Sequence, residues 1–377
     1  MYIRGVGATL TLVLVVCVAL AFDFTNGFHD AANAIATSVA TRSISPRLAV
    51  LCAGILNFAG AFLSLKVAST IGKGIVDPKL VGLSTILAGL VGAISWNLVT
   101  WWFGIPSSSS HALVGGIVGA AVVGSGGLDP VLWAGIYHKV LVPSVVAPVL
   151  GFIVAAVLAV LIAGRVGRWL DARPTPLRGL QLASAGFVAL THGTNDAQKT
   201  MGVITLALVS SGHLDHFSVP DWTIAASALA IALGTYSGGW RIINTLGSRL
   251  STLDLRAGTA AQVAAGSVLW ATAHAGYPVS TTHIVTGSVL GSGAGRRFRG
   301  TSWSLGTRIG VAWLVTLPAS AAVGGLFALV LDIRGGEVVL ACALLGLLAA
   351  TVRFRRALLA GPDSALPPPP APAAAAH

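Results

Sequence analysis

The sequence predicts an all-α polytopic membrane protein made of two inverted-topology repeats, with interrupted helices and helical hairpins near the bilayer midplane. Three observations predict it. Of 377 residues, 55% are hydrophobic and only 9% are charged, against about 25% charged in an ordinary soluble domain. Apolar runs of about 20 residues recur along the chain, each long enough to cross ~30 Å of hydrocarbon as a helix, without the alternating pattern of barrel strands. Two polar motifs each occur twice, in the same order in each half.

In chain order, residues 1–125 form the first repeat, 126–179 a connecting span and cytoplasmic loop, 180–331 the second, inverted repeat, 332–356 a last span, and 357–377 a disordered Pro/Ala tail. Apolar segments are expected near 6–41, 48–71, 80–103, 104–124, 140–164, 180–211, 222–240, 258–275, 276–294, 308–331 and 338–352. The first and sixth are interrupted by polar residues. Arg4, the following apolar run and Ala19-Leu-Ala21 imitate a signal peptide. Cleavage there would remove half of the helix that carries the first polar stretch, so the segment is expected to stay. Cys17, Cys52 and Cys342 stand singly within apolar runs, with no metal-like spacing and no even set for a disulfide framework.

The first segment contains Asp23, Asn26, Asp30 and Asn33, spaced i, i+3, i+7 and i+10, which places two carboxylates and two carboxamides on one helical stripe. Charged side chains cost at least ~2.5 kcal/mol each at a bilayer centre and persist mainly where they face a cavity or carry function. The stripe therefore reads as a cation or proton site. It recurs: Phe24-Thr25-Asn26-Gly27-Phe28-His29-Asp30-Ala31 aligns with Leu190-Thr191-His192-Gly193-Thr194-Asn195-Asp196-Ala197.

A second pair aligns more closely. Gly104-Ile-Pro106-Ser-Ser108-Ser109-Ser110-His111 matches Gly276-Tyr-Pro278-Val-Ser280-Thr281-Thr282-His283. Pro favours the first position of a helix, so each run is expected to open a helix directly after Pro106 or Pro278, presenting free N–H groups and the positive end of its dipole. With the hydroxyls of Ser108, Ser109, Ser110, Ser280, Thr281 and Thr282, two such ends could grip a tetrahedral oxyanion without a permanent counter-charge. Gly115, Gly119, Gly287 and Gly291 are expected to be small-residue helix contacts. His111 and His283 could orient the hydroxyl runs or move protons.

The net charge of +11 lies in short loops between apolar segments, not on one soluble face, so it reports orientation and not nucleic-acid binding. Arg42 and Arg47; Arg165, Arg168, Arg173 and Arg178; Arg241, Arg249 and Arg256; Arg296, Arg297, Arg299 and Arg308; and Arg353, Arg355 and Arg356 mark one side as cytoplasmic, including the C-terminus. Loops near 125–137, 212–221 and 332–337 should face outward; Lys73 and Lys79, outside by segment order, fit less well. The first stripe precedes a basic loop and the second follows one, which inverts the two units. Inverted repeats are a transporter architecture, with substrate and ions bound near the midplane.

Asn26-Gly-Phe-His-Asp30-Ala-Ala-Asn33-Ala and His192-Gly-Thr-Asn-Asp196-Ala-Gln-Lys199-Thr-Met-Gly202 resemble the paired signatures of the inorganic phosphate transporter family, bacterial low-affinity type, and the resemblance covers nearly the whole chain except the tail. It implies a plasma-membrane symporter importing phosphate with protons or sodium, as a neutral metal–phosphate complex in some members, with Asp30, Asn33, Asn195 and Asp196 in the cation and substrate site. It implies no catalytic residues, no resident metal and no cofactor, and it is compatible with a homo-oligomer. The second stripe departs from the first: Asn26 becomes His192, and Asn33 becomes Lys199. Lys199 is expected to fill part of a second sodium site, leaving a proton-coupled carrier with Asp30 or Asp23 titrating; the alternative is that Lys199 snorkels to an interface. Thr25, Thr191, His111, His283 and His192 are expected in support.

Other classes fit less well. An intramembrane hydrolase using Ser108 and His111 has no use for a duplicated motif, a fixed pore does not need inverted interrupted repeats, and a scaffold leaves the paired carboxylates unexplained. A sulfate permease on the same fold is the nearest rival. Sulfate has no proton to donate at pH 7, so a site with an Asp acceptor favours phosphate.

Overall fold

The computed structural model describes residues 2–163, 174–295, 301–333 and 346. The Arg165–Arg173 and Arg296–Arg299 loop charges, Cys342, the basic residues from Arg353 to Arg356, the tail, and nearly all of the expected last span lie outside the described residues. Cys17 is exposed and Cys52 half-buried.

The described residues are helical and fall into two series of six. The first is α1 (Tyr2–Ala40), α2 (Pro46–Gly60), α3 (Lys66–Gly74), α4 (Leu83–Trp102), α5 (Ser109–Ser125) and α6, in which Trp133–Ile136 continues through a π-helical turn, Tyr137–Leu141, into Val142–Ala163. The second is α7 (Pro174–Ser210), α8 (Asp221–Ser237), α9 (Trp240–Asn244, extended by a π-helical turn, Thr245–Arg249), α10 (Leu255–His274), α11 (Thr281–Ala294) and α12 (Trp303–Asp332). Each series runs long, medium, short, medium, medium, long, so each element of the first has a counterpart six places on.

Three boundaries differ from expectation. The stripes interrupt the apolar character of α1 and α7 but not their helices, because every backbone group inside a helix is already paired and polar side chains can be satisfied by neighbours. The segment expected at 48–71 is two helices, since the chain turns at residues 61–65. The run expected at 222–240 is followed by α9, a short element hidden from a hydropathy reading by Arg241 and Asn244. Four helices among the described residues are long and apolar enough to cross a membrane: Thr9–Ala40, Leu83–Trp102, Trp133–Ile162 and Trp303–Asp332. The stripe dilutes the apolarity of α7, and α2 and α5 are shorter apolar helices.

α1 and α7 pack against each other at the centre, α8 on α1 and α2 on α7. The hairpins α4–α5 and α10–α11 flank them, and the long last helix of each series packs on the hairpin of the other: α12 on α4 and α5, α6 on α10 and α11. Glycine makes this exchange. A Cβ on Gly115 or Gly119 would fall on the Leu317 or Ala321 carbonyl oxygen of α12, and one on Gly287 or Gly291 on the Pro148 or Phe152 carbonyl oxygen of α6. The four glycines are therefore helix contacts, as their spacing suggests. At the hairpin tips, Gly104 and Gly276 take φ of 65° and 77°, a left-handed turn that suits glycine. Their carbonyls accept from Thr245 Oγ1 (2.9 Å) and Thr70 Oγ1 (2.7 Å), so α9 and α3 each tether the hairpin tip of the other series.

Loops gather at two ends. Arg178 donates to the Ser43 and Arg42 carbonyls, and Thr41 and Ser43 donate to Gln181. At the other end Asp77 N–H donates to Pro130 (2.8 Å), and the Lys73 ammonium lies over the Phe217 ring. The lysine loop thus sits with the loops near 125–137 and 212–221, as segment order requires, despite its charge.

Candidate substrate and coupling site

The helix starts lie three residues later than Pro suggests. α5 begins at Ser109 and α11 at Thr281, with Ser108 and Ser280 as N-caps whose hydroxyl oxygens accept from the His111 and His283 N–H groups. A Ser cap supplies the acceptor that Pro cannot, so it sets the boundary. Both helix starts are buried and face the centre, where the first N–H groups of each helix have no intrahelical partner.

The carboxylates on α1 and α7 meet these starts. Ser109 Oγ donates to Asp30 Oδ2 (3.0 Å), and its counterpart Thr281 Oγ1 donates to Asp196 Oδ1 (3.1 Å). Thr282 Oγ1 donates to Asp30 Oδ1 (3.1 Å) and accepts from Asn33 Nδ2 (3.0 Å). In the matching place, Lys199 Nζ donates to Ser110 Oγ (2.5 Å) and to Asp196 Oδ1 (2.6 Å), while Ser110 donates to the Val279 carbonyl. Asn33 and Lys199 thus each reach the hydroxyl run of the opposite half. Asn195 Nδ2 donates to Asp196 Oδ1 (2.7 Å) and to the Val279 carbonyl (2.9 Å), and Asn26 Nδ2 donates to Asp196 Oδ2 (3.3 Å). Asp30 and Asp196 are buried, so neither stripe is a surface helix end.

Lys199 is fully buried and ion-paired, which rules out snorkelling to an interface. Asp30, His192 and Asp196 bring one ligand-type atom each within 4.8 Å of the others. The ammonium of Lys199 lies in contact with Asp196 in that space and supplies positive charge there, so a divalent ion would meet a like charge.

Other expected residues fall outside the contact set. Thr25 and Thr191 bond back to the carbonyls of Phe22 and of Phe187 and Val188, the usual fate of Thr in a helix. His111 and His283 pack ring against ring, centroids 4.8 Å apart, and His283 stacks on Trp313. They join the two hairpins and do not touch the carboxylates. His192 does reach the site, Nε2 lying 3.3 Å from Asp196 Oδ2 while Nδ1 lies 3.1 Å from Asn57 Oδ1. Asp23, one turn before Asn26, is buried with neither carboxyl oxygen hydrogen-bonded.

Sequence reasoning missed four participants. His29, which lies off the stripe, has Nδ1 2.7 Å from Asp30 Oδ1 and Nε2 3.4 Å from both Thr100 Oγ1 and Ser107 Oγ. Asn57 joins His192 to Thr235. Asn57 was findable as the one carboxamide in the apolar α2, and Ser107 as the first hydroxyl of the run after Pro106; Thr100 carried no such signal.

Comparison with known proteins places the chain in a family. The phosphate transporter family model matches residues 26–324. A Mycobacterium tuberculosis (strain ATCC 25618 / H37Rv) protein described as a "Probable low-affinity inorganic phosphate transporter" is 50% identical over 92% of this chain and 84% of its own length. Proteins with the same description from Rhizobium meliloti (46% identical; 84% of this chain, 95% of that one) and Bacillus subtilis (42%; 86% and 97%) are also similar. Among solved structures, one titled "The sodium-dependent phosphate transporter" superposes with a TM-score of 0.77 at 24% identity, over 86% of this chain and 99% of that one, a likeness of fold. On the family match and these relatives, the chain belongs to the phosphate transporter family.

Proposed function

We propose that the chain is a multi-pass protein of the cell inner membrane that imports inorganic phosphate with protons by alternating access, its basic loops and C-terminus facing the cytoplasm. The observation that carries the coupling is the Lys199 ammonium, 2.6 Å from Asp196 and 2.5 Å from Ser110. It puts a covalently attached cation where the equivalent residue of the first half, Asn33, is neutral. A site with a built-in positive charge needs one fewer mobile cation to balance an incoming anion.

Phosphate is held between the starts of α5 and α11. The hydroxyls of Ser109, Ser110, Thr281 and Thr282 turn from their carboxylate and carbonyl acceptors to its oxygens, and the free N–H groups of both helices add to them. Ser108 and Ser280 act through the caps that fix those N–H groups. A phosphate P–OH can donate to Asp30 or Asp196; sulfate offers no such proton, and its charge would meet two carboxylates. Proton uptake on Asp30 or Asp23 lowers the negative charge of the loaded site. The two series of helices, inverted in the membrane, then rock about α1 and α7.

Radiolabelled phosphate uptake into proteoliposomes, under imposed proton or sodium gradients, with and without a divalent metal and with sulfate as competitor, tests this. Proton-driven uptake untouched by sulfate is expected. Uptake driven by sodium at constant pH sinks the coupling; sulfate transport sinks the substrate; a strict metal requirement makes the metal–phosphate complex the cargo.

A further inference from the structure

Asp30 and Asp196 are surrounded by donors, but Asp23 is not. Its side chain is fully buried, and neither oxygen completes a hydrogen bond; nor do Asn26 Oδ1 and Thr200 Oγ1, the oxygens of the two polar side chains that act on it. The charged groups facing it are Asp196 and Lys199 of α7, and Lys199 is already engaged by Asp196 and Ser110. Of the other two helices packed most extensively on α1, α4 contains no titratable side chain, and Asp221 and Tyr236 stand near the ends of α8; α2, α5, α9, α10 and α11 also touch α1, but none of their Arg or His side chains acts on Asp23. An ionised carboxylate whose oxygens complete no hydrogen bond, and whose nearest cation is already engaged by another carboxylate, is costly to bury. A carboxyl bearing a proton removes that cost and becomes a donor, with Asn26 Oδ1 and Thr200 Oγ1 as waiting acceptors.

Building on the proton-coupled reading above, we propose that Asp23 is the carrier of the coupling proton and that Thr200, the residue after Lys199, receives its O–H. On loading, a proton from hydronium in the aqueous side then open forms an O–H bond to one Asp23 oxygen, leaving water. On release that bond breaks and the proton passes to water on the other side. No electrons are transferred. Phosphate does not contact Asp23, so binding and coupling are separable: the carboxyl lies on α1 about two turns before Asp30, the nearest residue shown to meet α5 and α11.

The test uses the full-length protein in proteoliposomes with an internal pH-sensitive dye. D23N is expected to bind phosphate, measured by equilibrium binding, yet to lose pH-gradient-driven accumulation at least tenfold and to lose phosphate-evoked proton entry. Infrared spectroscopy of the wild type should show a protonated-carboxyl C=O band that disappears in D23N. D23N that accumulates phosphate with the wild-type proton count overturns the proposal, as does a wild type with no such band. If D23N fails to insert, T200V serves: a displaced pH dependence of coupled uptake is expected, and an unchanged one overturns the placement. Wild-type uptake that follows sodium and ignores pH defeats the coupling reading itself, an outcome distinct from a working D23N.

Discussion

The first stripe and the second are built alike and partnered differently. Asp30 is met by His29, Ser109 and Thr282, all neutral or titratable. Asp196 is met by Asn195, Thr281, His192 and the Lys199 amine. In the aligned motifs His29 stands where Asn195 does, and Asn33 where Lys199 does. Both carboxylates have an imidazole beside them, His192 at Asp196 and His29 at Asp30, but only Asp196 also has an ammonium. Two aligned sites thus have different electrostatic surroundings: the lysine stands beside one carboxylate, and a carboxamide stands in its place in the other half.

The comparison breaks most severely at Lys199. Lys199→Ala leaves the buried Asp196 without its counter-charge, at ~3–5 kcal/mol. A fall in thermal unfolding temperature in detergent with loss of uptake is expected; a variant of wild-type stability would mean that the ion pair matters little. Lys199→Asn sharpens the test by making the halves alike, and sodium-stimulated uptake should appear. A variant that stays indifferent to sodium would detach Lys199 from ion choice.

Packing comes next. Gly119→Ala drives a methyl into the Ala321 carbonyl of α12, and Gly291→Ala does the same to Phe152 of α6, each costing about 1–3 kcal/mol. Equal destabilisation of the two is expected, because the exchanged helices are equivalent. A large effect from one alone would show that the halves are not packed alike.

Ser109→Ala and Thr281→Ala remove matching hydroxyls. Hydrogen bonds to charged groups contribute ~1.5–3 kcal/mol, so the apparent phosphate affinity should fall at least about tenfold in both. Wild-type affinity in either would take that hydroxyl out of the substrate site. The smallest effect belongs to His29→Asn, which copies the second half. Asn keeps a donor for Asp30, so a two- to tenfold drop in proton-driven rate is expected, matching ~0.5–1.5 kcal/mol for one net hydrogen bond; no drop would place His29 among packing residues.

Much of this was legible from residue order. The stripe, its copy and both hydroxyl runs were visible because spacing is a local property of a helix. The helix starts were misplaced because Pro106 and Pro278 are strong markers, but Ser108 and Ser280 supply the caps. Thr25 and Thr191 matched in register without reaching the site, since alignment of sequence says nothing about which carbonyl a hydroxyl finds first. His29 was left out of the site because the stripe was drawn along one helix, whereas its partners Thr100 and Ser107 come from α4 and the turn after it.

The sequence by itself determined a membrane solvent, an all-helical chain, a duplicated pair of polar motifs, and the exchange of Asn33 for Lys199 between the copies. Apolar content, helical period and repetition depend on near neighbours, so they can be read in one dimension. Only the tertiary structure decided that Lys199 reaches Ser110, 89 residues away, that Thr282 crosses 252 residues to Asp30, and that Asp23 is left without a partner. In a water-poor interior a polar group takes whichever partner the packed helices bring within about 3 Å, and that choice belongs to the helix packing and not to residue order.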